Sequence, residues 1–118
     1  PLDAFRTRFD TILTYANDLG RDTSNFDASL HMMVNINEDE DKAYEEATHF
    51  LGSYYGAGAI TKERADTWLA IGSPQAVIDK IAAYLEIGCT TPILRFVAPN
   101  PREQLQRCIE EVLPAFRV

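Results

Sequence analysis

Residues 68–99 read WLAIGSPQAVIDKIAAYLEIGCTTPILRFVAP, and this stretch decides the fold class. Trp68, Leu69, Ala70 and Ile71 form a short apolar run that Gly72 turns. Ser73 offers a side-chain oxygen to cap a helix, and Pro74 falls where a helix has no use for the N–H that proline lacks. Val77, Ile78, Ile81, Ala82 and Leu85 then recur at three- and four-residue steps, one face of a helix that Gly88 stops. A second apolar run over 90–98 is centred on Ile93, Leu94, Phe96 and Val97. Pro92 lies near its start, where a missing ladder donor is tolerable. Strand, helix, strand in this order means parallel strands joined by a right-handed crossover.

Towards the N-terminus, Leu2, Phe5, Phe9, Ile12, Leu13, Ala16 and Leu19 mark a helix over 2–19, ended at Gly20, with a polar loop over 21–25. Residues 26–36 read as a strand. From Leu30 to Val34 it is apolar on both parities except at His31, the pattern of a strand covered on both faces. The acidic run from Asn37 to Asp41 suits a helix start, and a helix follows from Asp39 to Tyr55 with Gly56 and Gly58 after it. Thr61 can cap a short helix carrying Lys62 to Asp66. Towards the C-terminus, Asn100, Pro101 and Glu103 form a second helix start with a capping-box pattern. Leu105, Cys108, Ile109 and Val112 mark the last helix, which should end or kink at Pro114.

The expected fold is therefore α/β, with about three parallel strands alternating with four helices in a single segment over 1–118. Pro74 and Pro101 lie one β-α unit apart, and eight such units make a (β/α)8 TIM barrel of about 250 residues. Three parallel strands alone leave two open edges, and the strand over 26–36 carries neither lysine nor proline to protect one. The pattern fits the C-terminal part of a closed barrel or a subunit that pairs its edges with a second copy. A small doubly wound sheet is the competing closed form. The chain begins with Pro1 and not methionine, which suits an excerpt or a processed product.

The net charge of −7 gives no footprint for phosphate backbones or anionic membranes, so nucleic acid and membrane are not expected partners. Cys89 and Cys108 sit in no CxxC pattern and read as buried, reduced thiols, which suits a cytoplasmic protein.

From Ala70 onward the chain resembles the end of a bacterial-luciferase-like monooxygenase. The carrying residues are Ile71-Gly72-Ser73-Pro74-Gln75-Ala76-Val77-Ile78-Asp79-Lys80, Tyr84-Leu85-Glu86-Ile87-Gly88-Cys89, Ile93-Leu94-Arg95-Phe96-Val97-Ala98-Pro99, Glu103-Gln104-Leu105 and Glu110-Glu111-Val112-Leu113-Pro114. In that family a Gly-Ser/Thr-Pro turn opens the seventh barrel helix, an apolar strand is the eighth, and Leu-Pro closes the last helix. Residues 1–69 would then be the fifth helix, sixth strand and sixth helix. The resemblance implies an oxidoreductase using FMN or the deazaflavin F420 on a small organic substrate. Because much of the flavin phosphate site lies on earlier strands, it also implies that this chain alone binds no cofactor and is inactive. A homo-oligomer is expected. The alternative is a non-catalytic α/β module that self-associates through its open edges.

Barrel chemistry sits at the C-terminal ends of strands. Arg95, a cation inside an apolar strand, is a candidate to hold a flavin or an anionic substrate, or else to pair with a carboxylate. Gly72 and Ser73 present helix-start N–H groups as a candidate cofactor contact, although Ser-Pro is also a routine cap. His31 is the catalytic candidate, a proton donor beside the flavin, with a hydrogen-bonded core histidine as the bland alternative. Asn35, Asn37, Asp39, Asp41 and Glu46 fall at calcium-loop spacings, but Glu40 stands where that loop needs glycine, so no metal site is expected.

Overall fold

The computed structural model describes residues 1–58 and 60–117. Its elements in chain order are α1 (Leu2–Asp18), β1 (Ser29–Ile36), α2 (Glu40–Tyr55), α3 (Lys62–Trp68), β2 (Leu69–Gly72), α4 (Pro74–Glu86), β3 (Thr91–Phe96) and α5 (Pro101–Arg107). The helix starts form as their residues dictate. Ser73 Oγ accepts from Ala76 N at 3.3 Å, Thr61 Oγ1 from Arg64 N at 3.3 Å, and Asp39 Oδ1 from Lys42 N at 3.0 Å. At Asn100 the capping box takes a side-chain form. Asn100 Oδ1 accepts from Glu103 N at 3.4 Å, and Asn100 Nδ2 donates to Glu103 Oε2 at 2.9 Å.

Pro114 acts earlier than its position suggests. It cannot donate to the carbonyl one turn before it, and the backbone has already widened into a π-helix over Cys108–Val112 before tightening into a 3-10 turn over Leu113–Phe116. Likewise the strand expected over 26–36 begins only at Ser29. Phe26 is held in a turn by its N–H bond to Thr23 O.

All three strands are parallel, in the order β2-β1-β3. Met33–Ile36 pair with Leu69–Gly72, while Ser29–Val34 pair with Thr91–Phe96. Consecutive barrel strands would place β2 in the middle; here β1 is central. The chain steps one way from β1 to β2 and the other way from β2 to β3. Right-handed crossovers then put α2 and α3 on one face and α4 on the other. The two cores follow this division. Met32, Val34, Ile36 and Ala70 pack with Val77, Ile81 and Tyr84 of α4 and with Cys108 and Val112. Leu69 and Val97 pack with Ala47 and Leu51 of α2 and Ala65 of α3 on the opposite side. The apolar run on both parities of β1 is the sequence trace of this double cover.

The packing is incomplete at the periphery. None of the residues of α1 is buried, and Ile12, Tyr15 and Leu19 are 48%, 68% and 76% exposed. The radius of gyration is 15.8 Å, whereas a compact domain of this length has one of about 13.5 Å.

Candidate functional site

The C-terminal ends of the strands are where Asn35, Asn37, Gly72, Arg95, Val97 and the start of α5 converge. Asn35 is fully buried on β1. Its Nδ2 donates to Glu46 Oε2 on α2 at 3.0 Å, and lies 3.3 Å from both Ala43 O and Val97 O. These three acceptors fix the orientation of the amide, because the reverse would set its oxygen against two carbonyls and a carboxylate. Asn35 Oδ1 then has no hydrogen-bond partner among the described residues. A buried oxygen without a donor costs about 1–3 kcal/mol, and such exceptions in native interiors call for an explanation.

On the β3 side of the same strand end, β3 stops at Phe96 and cannot reach Ile36. The Gln104 side chain takes its place, accepting from Ile36 N at 2.7 Å and donating to Ile36 O at 2.9 Å. Arg107 donates to Ile36 O at 3.1 Å and pairs with Glu38 and, at 2.7 Å, with Glu111. Hydrogen bonds from Arg107, with a smaller Coulombic contribution from its charge, hold the Glu38 and Glu111 carboxyls below the usual carboxylate range. The two carboxylates in turn raise the Arg107 guanidinium.

Arg95 lies near the end of β3 in register with Met33, half-buried on the α2 face. Its guanidinium stacks over the Tyr54 ring at 4.7 Å and the Phe50 ring at 5.6 Å. Of the two partners expected for it, a ligand or a carboxylate, the structure supplies no carboxylate among the described residues. Stacking leaves the N–H edge of the planar group available. Gly72 ends β2 at φ 114° and its carbonyl accepts from Asn37 N at 2.8 Å, tying the ends of β1 and β2 together. Ser73 serves as the cap of α4.

His31 lies elsewhere. It is exposed, in register with Ile93 at the N-terminal half of β1. It lies five positions before Ile36, the partner of Gly72, or roughly 17 Å at the strand rise. The strand ends therefore gather Arg95, Gly72 and Ser73 loosely, and exclude His31. It opens instead onto a groove of about 590 Å³ between α1, α4 and the edge of β1. In the sequence Gln104 has a place in the family resemblance but no role in a site, and Asn35 and Glu46 stand there only in a rejected calcium pattern. The i, i+11 relation of those two is not a motif, so nothing local announces the pair. Among the described residues no cluster of metal-ligating side chains occurs. Cys89 and Cys108 are free and buried, and burial pushes both thiols up. No described helix is long and apolar enough to cross a membrane.

No protein-family model matches the sequence, and no curated protein matches it. Solved structures do match by shape. The coenzyme F420-dependent tetrahydromethanopterin reductase from Methanopyrus kandleri superposes on 99% of this chain with a TM-score of 0.74 at 19% identity. An F420-dependent secondary alcohol dehydrogenase, solved with an F420-acetone adduct, superposes on 87% with a TM-score of 0.71 at 18% identity. The chain spans 43% and 36% of those two proteins' lengths. Its fold thus matches part of a TIM-barrel-like F420-dependent enzyme.

Proposed function

We propose that this chain forms part of an oxidoreductase of the luciferase-like barrel kind, one that uses the deazaflavin F420. The observation that carries the reading is the superposition of nearly the whole chain on an F420-dependent reductase. The second solved neighbour also uses F420, which favours the deazaflavin over FMN. The Gly72-Ser73-Pro74 turn and the apolar β3 add independent sequence support.

The residues of this chain fit one portion of such a cofactor. F420, when bound, supplies a ring carbon that accepts or gives a hydride. Arg95, fixed by Tyr54 and Phe50 and with its N–H edge unpaired among the described residues, would hold a carbonyl or anionic oxygen of the cofactor or substrate. Asn35, kept rigid by Glu46, carries an acceptor oxygen in want of a donor. Gly72 and Ser73 would add main-chain N–H groups at the start of α4. A small organic substrate, a cytoplasmic location and a homo-oligomeric assembly belong to the same reading. His31 has no role at the strand ends in it.

Titration of the native gene product that contains this chain tests the reading. Saturable binding of F420, tighter than that of FMN, is expected; failure to bind F420 at any concentration overturns it. A second reading, a self-associating module without catalysis, draws support from the uncovered face of α1 and the open edge of β3. It requires no cofactor binding together with concentration-dependent assembly.

A further inference from the structure

Glu46, Phe50 and Tyr54 follow one another at four-residue steps and lie along one side of α2. Each meets a side chain of the sheet. Glu46 holds Asn35, and Phe50 and Tyr54 lie against Arg95. The fold treats its two strand-end cations differently. Arg107 donates to Glu38, Glu111 and the Ile36 carbonyl. Arg95 meets no carboxylate and no hydrogen-bond acceptor among the described residues. It has instead the Tyr54 ring at 4.7 Å, backed by Phe50, whose ring centroid lies 5.6 Å from that of Tyr54. Tyr54 is 63% exposed, so burial does not account for its place. Tyr55, next to it and 55% exposed, has neither a ring nor a cation against it among the described residues.

Resting on the function proposed above, we infer that Tyr54 is a positioning residue, which presets Arg95 to receive a planar oxygen-bearing group, a ring carbonyl or a carboxylate, edge to edge. A guanidinium on an aromatic face has that face covered, and its five N–H groups point outward in its own plane. An acceptor that meets two of them in line lies in or near that plane. A flat carbonyl or carboxylate group satisfies this with all its atoms parallel to the Tyr54 ring. A tetrahedral phosphate satisfies it with only part of its oxygens. The stacking also takes up the rotamer freedom of a long side chain before the ligand arrives, so less order has to be created on binding. A lysine in this position keeps the charge but supplies neither the fork nor the flat contact.

Two measurements on the native gene product test this: its dissociation constant for F420, and the NMR signal of the Arg95 Nε–H group without any ligand. Tyr54→Phe keeps the ring and is expected to bind as the wild type does. Tyr54→Leu is expected to bind about fivefold more weakly, because one more long side chain must be ordered on binding. In an Arg95→Met background it should cause no further loss. Tyr55→Leu, at similar exposure, is the control and should change nothing. Arg95→Lys should lose as much affinity as Arg95→Met. In the unliganded protein the ring current of Tyr54 shifts the Nε–H signal upfield; Tyr54→Leu should remove most of that shift and Tyr54→Phe should keep it. Wild-type affinity in Tyr54→Leu overturns the inference, as does an equal loss with and without Arg95. Wild-type affinity in Arg95→Lys overturns it too, since a point charge would then suffice. Absence of any F420 binding counts against the proposed function, while the Nε–H signal still decides on Tyr54, so the two failures are told apart.

Discussion

The side-chain amide of Gln104 completes the hydrogen bonding of Ile36, taking its N–H and supplying its C=O where β3 has ended. A glutamine amide has the donor and acceptor of a peptide, so it extends the ladder by one residue and locks α5 to the strand. Gln104→Leu fills the volume but leaves a buried N–H unpaired, and weakens the cover of a carbonyl that Arg107 still reaches. A loss of about 2–4 kcal/mol is expected, from two hydrogen bonds and one desolvated donor. Urea denaturation measures it; a change under half a kcal/mol would show that water replaces the amide.

The Arg107 cluster sets an acid limit. Glu38 and Glu111 titrate below their usual range because Arg107 hydrogen-bonds to them. Their folded values are depressed, so their contribution is complete above the unfolded values, about pH 4, and is lost as pH falls through the lower folded ones. Asp27, held down by hydrogen bonds from Thr90 and then Thr91 across the base of β1 and β3, behaves alike. Stability of the wild type and of Arg107→Met, followed by urea melts from neutral pH downward, should therefore converge below about pH 4. The hydrogen bond to Ile36 O leaves a residual gap. A gap that stays constant with pH would remove the ion pairs from the account.

Gly88 joins α4 to β3 at φ 102°, and a Cβ there would stand 2.8 Å from Phe9 Cε1. Gly88→Ala carries both a left-handed backbone penalty of about 1–3 kcal/mol and displacement of the Phe9 ring. Thermal denaturation should show the loss.

The two thiols should be inert. Burial raises both Cys89 and Cys108, and among the described residues neither has a cation beside it to favour the thiolate. Reaction with a thiol reagent at neutral pH should be slow in the folded protein and fast in denaturant. Rapid labelling of either one in the native state would show that its pocket opens.

Much of the fold was legible because its punctuation is local. Ser73-Pro74, Asn100-Pro101, Thr61 and Asp39 each announce a helix start through atoms within three residues. The double apolar parity of Leu30–Val34 announced a strand covered on both faces. Strand order was not legible, because residues 37–68 could carry the chain to either side of β1, and no local pattern records the choice. The site divided in the same way. Arg95 stood out as a charge in an apolar strand, and stacking on Tyr54 and Phe50 accounts for its tolerance there. Asn35 and Gln104 did not stand out, since their partners Glu46 and Ile36 meet them only through tertiary packing. His31 sits low on β1, beside Ile93, because the strand begins at Ser29, and its level could not be read from the apolar pattern alone.

The proposed deazaflavin contact at the strand ends is most exposed to test at Arg95. Its stacking contributes only about 0.5–1 kcal/mol to stability, so Arg95→Met should melt within a few degrees of the wild type. The same substitution in the native gene product should weaken F420 binding about tenfold, the effect of one lost charge-assisted contact. An unchanged dissociation constant for F420 in a variant that is otherwise folded would contradict the account.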